Sequence, residues 1–139
     1  MSNEDVIVPA WPPPKGYANG RVGAGRVLHV GGQIGWTHDA ASGRFVFRAH
    51  DLVGQFAQTL DNVLAVVTAA GGRAEDLAAM TVFVTDLPAY RATQKELGAV
   101  WRERLGRHFP AMALVGVPGL VEPEALVEIQ AIAYLEHEP

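Results

Sequence analysis

The chain has 139 residues, enough for one self-supporting core and too few for two ordinary domains. Hydrophobic residues make up 49% and charged residues 19%, the balance of a globular chain, and the absence of cysteine bars disulfides, thiolate metal sites and cysteine nucleophiles. A net charge of -4 disfavours unspecific nucleic-acid binding, which needs clustered cations, and no run approaches the roughly 20 apolar residues of a membrane span.

One domain over residues 1–139 is therefore expected, with residues 1–20 as an extended N-terminal arm. Pro12, Pro13 and Pro14 have fixed φ and no backbone donor, which keeps that stretch out of a core element. Glu4 and Asp5 stand where a secretion signal needs cations, so a soluble, cytoplasmic protein is expected. Regular structure is expected to begin with Arg26–Ile34, a strand in which Leu28, Val30, Gly32 and Ile34 face one way and Val27, His29, Gly31 and Gln33 the other. Asp39–Gly43 reads as a hairpin loop, with Arg44–Phe47 as the returning strand.

Asp51 is a candidate N-cap and Gly71 a candidate left-handed stop for a long helix carrying Leu52, Phe56, Leu60, Val63, Leu64 and Val67 at helical spacing. Met80–Thr85 is rich in β-formers, and Asp86 and Pro88 then cap a second helix expected to run to Arg107 before Pro110. Met112–Val117 and Leu126–Leu135 close the chain as strands around a turn with Pro118, Gly119 and Pro123. Two amphipathic helices on one face of a sheet define an α+β fold. In the last strand Val127, Ile129, Ala131 and Ala133 suit packing under helices. Leu126, Glu128, Gln130, Ile132 and Tyr134 make a mixed opposite face, the composition of an oligomer interface.

Metal and dinucleotide sites are not indicated. His29, His38, His50, His108 and His137 lack helical ligand spacing, although His29 shares the predicted strand face of Gln33. Gly20, Gly23 and Gly25 precede a strand instead of joining one to a helix. The cations Arg102, Arg104 and Arg107 read as the solvated end of a helix.

Several segments, in order, resemble the Rid (reactive intermediate deaminase, RidA/YjgF-like) family. They are Gly31-Gly32-Gln33-Ile34, Gln58 to Val63, Ala69 to Gly72, Val82 to Asp86, Phe109-Pro110-Ala111 and the closing Val127 to Ala133. Each is weak alone; the ordered set spans nearly the whole chain from Tyr17. The resemblance implies a chorismate-mutase-like mixed sheet, a homotrimer with small-molecule clefts between subunits, and hydrolysis of reactive imines or enamines without a cofactor. The family's older endoribonuclease label sits poorly with the acidic charge balance.

The resemblance also assigns residues, with departures. Glu128 matches the family's site glutamate and Tyr17 its arm tyrosine. A carboxylate can orient or deprotonate water and a phenol can hold a substrate heteroatom, so these two are the catalytic candidates. Met112 stands where an arginine holds the substrate carboxylate, and a thioether makes no ion pair. Gly31 replaces a serine, and Gln94 replaces an asparagine. Gly31, Gly32, Gln33, Gln94 and Met112 are candidate substrate contacts, with Trp36 a possible cleft wall beside Gln33. Met112, Trp36 and Leu114 would suit an apolar or uncharged ligand. The alternative is a non-catalytic small-molecule-binding or regulatory trimer, in which Glu128 pairs with a neighbour's base and Tyr17 packs the arm.

Overall fold

Regular structure begins earlier than the proline run suggests. In the computed structural model, which describes residues 2–136, β1 (Asn3–Asp5) pairs antiparallel with β2 (Arg21–Gly23). Buried polar side chains hold this pair down: the Ser2 hydroxyl donates to Asp76 Oδ1 at 2.7 Å, and the Asn3 amide donates to the Glu75 carbonyl at 3.1 Å. The Arg21 guanidinium pairs with Asp5 and bonds Asn3. The prolines themselves stay outside helix and strand, as their missing donors require.

The predicted strand β3 (Arg26–Ile34) forms, but its alternation does not run through. One extra residue enters between Val30 and Gln33, a β-bulge that takes His29 and Gln33 out of the common face expected of them. The hairpin of β4 (Thr37–Asp39) and β5 (Arg44–Val46) forms around Gly43 at φ 72°, yet it is a separate two-stranded sheet and β5 pairs with β4 instead of β3. Hydrogen bonds from Ser42, then the nearby Arg48 guanidinium, hold the Asp39 carboxyl below its usual range.

Helix α1 (Leu52–Ala69) buries Leu52, Phe56, Leu60, Val63 and Val67, the predicted stripe, with Leu64 partly buried. Gln55 and Thr59 are buried with them. Asp51 occupies the N-cap, but its side chain makes no capping bond, contrary to expectation. Gly71, at φ 87°, provides the left-handed stop. The helix expected from Pro88 to Arg107 is two, α2 (Leu87–Ala92) and α3 (Gln94–Leu105). Thr93 leaves helical geometry at φ -118°, ψ 19°, with its hydroxyl bonded to the Ala89 carbonyl at 2.8 Å. Asp86 caps α2 as predicted, accepting from the Ala89 amide at 3.0 Å.

Strands β6 (Leu77–Val84), β7 (Ala111–Gly116) and β8 (Val127–Leu135) join β3 in one sheet of order β3-β8-β6-β7. β8 is antiparallel to both neighbours and β7 parallel to β6, so the sheet is mixed. The parallel pair requires a crossover, supplied by α2 and α3. Val127, Ile129 and Ala133 are fully buried against the helices, while Glu128, Gln130, Ile132 and Tyr134 lie on the opposite, partly exposed face. The α+β architecture read from the sequence is the observed one. No helix among the described residues is long and apolar enough to cross a membrane.

Candidate functional site

A cavity of about 570 Å³ opens beside β7, α3 and the N-terminal arm. Its deep wall is apolar: Val82, Leu97 and Trp101 are buried, and Met112 and Leu114 project from β7 on the helix side, beside Met80 and Val82 in the parallel register. Trp101 stacks on Phe109 with ring centroids 5.7 Å apart and planes 5° from parallel, and its indole N–H donates to the His108 carbonyl at 3.2 Å. The mouth is polar, with exposed Tyr17, Gln94, Lys15, Arg102 and Arg107. No carboxylate lines this cavity among the described residues.

Tyr17 reaches the cavity because its neighbour is pinned to the sheet. The Ala18 amide donates to the Pro110 carbonyl at 3.0 Å, and Ala18, buried, bridges Ala111 in parallel fashion. The arm thereby acts as a short extra rail on β7, one residue from Met112. Three predicted site residues, Tyr17, Gln94 and Met112, therefore come together.

The others gather elsewhere. Glu128, half-buried in β8, stands opposite Ile34 of β3 and Phe83 of β6, and its carboxyl lies against Gly32, where an added methyl group would collide with Glu128 Oε1. Gly31 has open space around it and borders a second hollow of about 330 Å³ with His29, Thr81 and Gln130. The Gln33 amide folds back to donate to the Gly31 carbonyl at 3.1 Å. Neither Glu128 nor Gln33 lines the larger cavity. Trp36 lines neither hollow of the single chain and stacks on Phe45 of the hairpin, with centroids 4.8 Å apart.

The link between β3 and β4 is held by a residue whose part went unread in the sequence. Asn62 of α1 donates to the carbonyls of Ile34 at 2.9 Å and Trp36 at 2.8 Å, and Gln58 donates to Asn62 Oδ1 at 2.9 Å. Lys15, Arg102 and Arg107 were likewise missed as cavity residues. The cationic cluster was visible, and its reading as the solvated end of a helix holds for exposed Arg102 and Arg107, while half-buried Arg104 pairs with Asp61 at 2.8 Å; that Arg102 and Arg107 also border the cavity was not visible. Which cations turn to the cavity depends on how α3 packs on α1. No group of three or more His, Asp or Glu side chains able to hold a metal occurs among the described residues, and His108 Nε2 is engaged by the Leu77 carbonyl at 2.7 Å. His137 lies outside the described residues.

Similarity to known proteins agrees with this architecture. A crystal structure of a Rid family protein from Yersinia pestis superposes with a TM-score of 0.81 at 28% identity, covering 97% of this chain and 100% of that one. A RutC family protein of Pyrococcus horikoshii is 33% identical over 133 residues, 96% of this chain and 98% of the relative. The 2-iminobutanoate/2-iminopropanoate deaminase of Escherichia coli is 39% identical over 83 residues, 60% of this chain and 63% of that protein. The mixed sheet with helices on one face is thus the α+β fold of YjgF-type proteins. Residues 10–135 match the family model described as Endoribonuclease L-PSP, and the chain belongs to that family, the Rid (RidA/YjgF-like) family.

Proposed function

We propose that the protein hydrolyses a small reactive imine or enamine to the carbonyl compound and ammonia, without a cofactor, in clefts completed between the subunits of a homotrimer. The observation that supports this reading most is the convergence of Tyr17, Gln94 and Met112 on one cavity, while the Glu128 carboxyl stands outside it on the open sheet face. A carboxylate on that face is available to a neighbouring subunit's cavity. Water attacks the imine carbon, and Glu128 accepts its proton. The imine nitrogen takes up a proton from solvent to give the carbinolamine; Glu128 then returns its proton to that nitrogen, which leaves as ammonia while the hydroxyl gives up its proton to solvent and the carbon–oxygen double bond forms. Tyr17 holds the substrate heteroatom through its phenol. The named activity of the Escherichia coli relative is of this class.

Specificity departs from the family's pattern at Met112, whose thioether cannot receive a carboxylate at the cavity's inner wall. The acidic net charge of -4 argues against a ribonuclease. The absence of any acid from the described cavity lining favours a second reading, a trimer that binds a small molecule and does not turn it over.

Ammonia release from freshly generated imines, with parent, Glu128→Gln and Met112→Arg proteins, tests these readings. Turnover by the parent that drops at least a hundredfold in Glu128→Gln with binding retained is the expected result, on the scale of a lost general base. Binding without turnover in the parent would establish the second reading. Met112→Arg is expected to improve use of short carboxylate-bearing imines.

A further inference from the structure

Met112 leaves the cavity's inner wall without a cation, yet its mouth carries three. Lys15 comes from the arm, Arg102 from the last turn of α3, and Arg107 from just beyond it; all three are exposed. None of them enters an ion pair with another described residue, whereas nearby Arg104 is taken by Asp61. The Arg102 guanidinium lies back along α3, where a methyl group added at Gly98 would stand 3.3 Å from Nη1. Gly98 itself lines the cavity, so that guanidinium runs along the opening. With no described acid in the lining, the field at the mouth is positive. Behind the mouth, the stacked Trp101 and Phe109 rings and the Met112 and Leu114 side chains present an apolar wall.

We propose that this cavity takes an amphiphilic anion, a carboxylate attached to an aromatic or large apolar body, with the carboxylate held at the mouth by Arg102 and Arg107 and assisted by Lys15. This deepens the proposed hydrolysis and rests on the same cavity being its place. With Met112 on the inner wall and the cations at the mouth, the charge of the ligand sits at the opening, and its apolar body must be long enough to reach the wall. A carboxylate held by a guanidinium fork gains charge-assisted hydrogen bonds that a neutral amide cannot match. The wall behind favours a ring over a two- or three-carbon chain.

The test is binding of 3-phenylpropanoate against its neutral amide, 3-phenylpropanamide, followed by titration calorimetry on the parent, on Arg102→Gln/Arg107→Gln and on Lys15→Gln, with melting curves to verify folding. Calorimetry reads occupancy whether or not the protein has hydrolytic activity. The parent is expected to prefer the carboxylate on the order of tenfold or more, as for a hydrogen-bonded charge. That preference is expected to vanish in the folded double variant, fall partly in Lys15→Gln, and weaken with added salt. Equal binding of acid and amide, binding of neither, or a preference that survives in the double variant would overturn the proposal. A carboxylate preference in a protein that releases no ammonia would leave this inference standing and remove hydrolysis. Turnover restricted to uncharged imines would do the reverse.

Discussion

At Gly32 the missing side chain leaves the space in which the Glu128 carboxyl rests. Gly32→Ala is expected to push that carboxyl aside and, under the hydrolytic reading, to lower ammonia release on the order of a hundredfold, the cost of misplacing a reacting group by about 1 Å. The melting temperature should change little, because Gly32 is exposed and the displaced group is a half-buried side chain. Gly31 differs: nothing lies near a side chain there, so Gly31→Ser should fold as the parent does. The glycine pair was legible in the sequence as a motif. Its consequence was not, because the contact with Glu128 is made across strands by residues nearly a hundred positions apart. The same separation hid the link between Tyr17 and Met112, which depends on a bridge from Ala18 to Ala111.

Helix α1 shows how a polar residue can be missed in an apolar stripe. Gln55 is fully buried; its amide donates to the carbonyls of Ala49 at 3.2 Å and Glu124 at 2.9 Å, and its oxygen accepts from the Leu126 amide at 2.8 Å. It ties the helix start to the segment entering β8, and so to the position of Glu128. Gln55→Leu would strand three backbone groups, and denaturant unfolding is expected to show a loss of roughly 3 kcal/mol. The spacing of Leu52, Phe56, Leu60, Val63 and Val67 made the helix itself readable, since 3.6-residue periodicity is a local property. Two ends read less well. Asp51 sits at the N-cap without bonding there, and Thr93 divides what periodicity read as one helix, its hydroxyl satisfying a carbonyl at the break.

The whole molecule leaves one sheet face partly open. Phe83 faces Glu128 in register, Ala79 faces Ile132, and Val115 on the edge strand is 41% exposed. A face of this composition, opposite a helix-covered one, fits contact with further copies of the chain. Light scattering is expected to give three times the mass of one chain, and Ile132→Glu, which puts a charge in the middle of that face, should lower the mass toward one chain. A monomeric parent would remove the intersubunit cleft and, with it, the role given to Glu128.

Periodicity, turn residues and the ordered family segments made the α+β class, the order of the main elements and the family legible in advance. These signals act over a few residues, or repeat along the chain, and survive without knowledge of what lies across the sheet. The bulge in β3, the strand in the arm and the turning of Arg102 and Arg107 toward a cavity were out of reach. Each depends on which distant backbone atoms become neighbours when the sheet closes. So too does the division of the site, with Tyr17, Gln94 and Met112 on one surface and Glu128 on another. A linear pattern assigns residue types, whereas the packing of α3 on α1 and the bridge from the arm to β7 determine which of those groups meet a ligand.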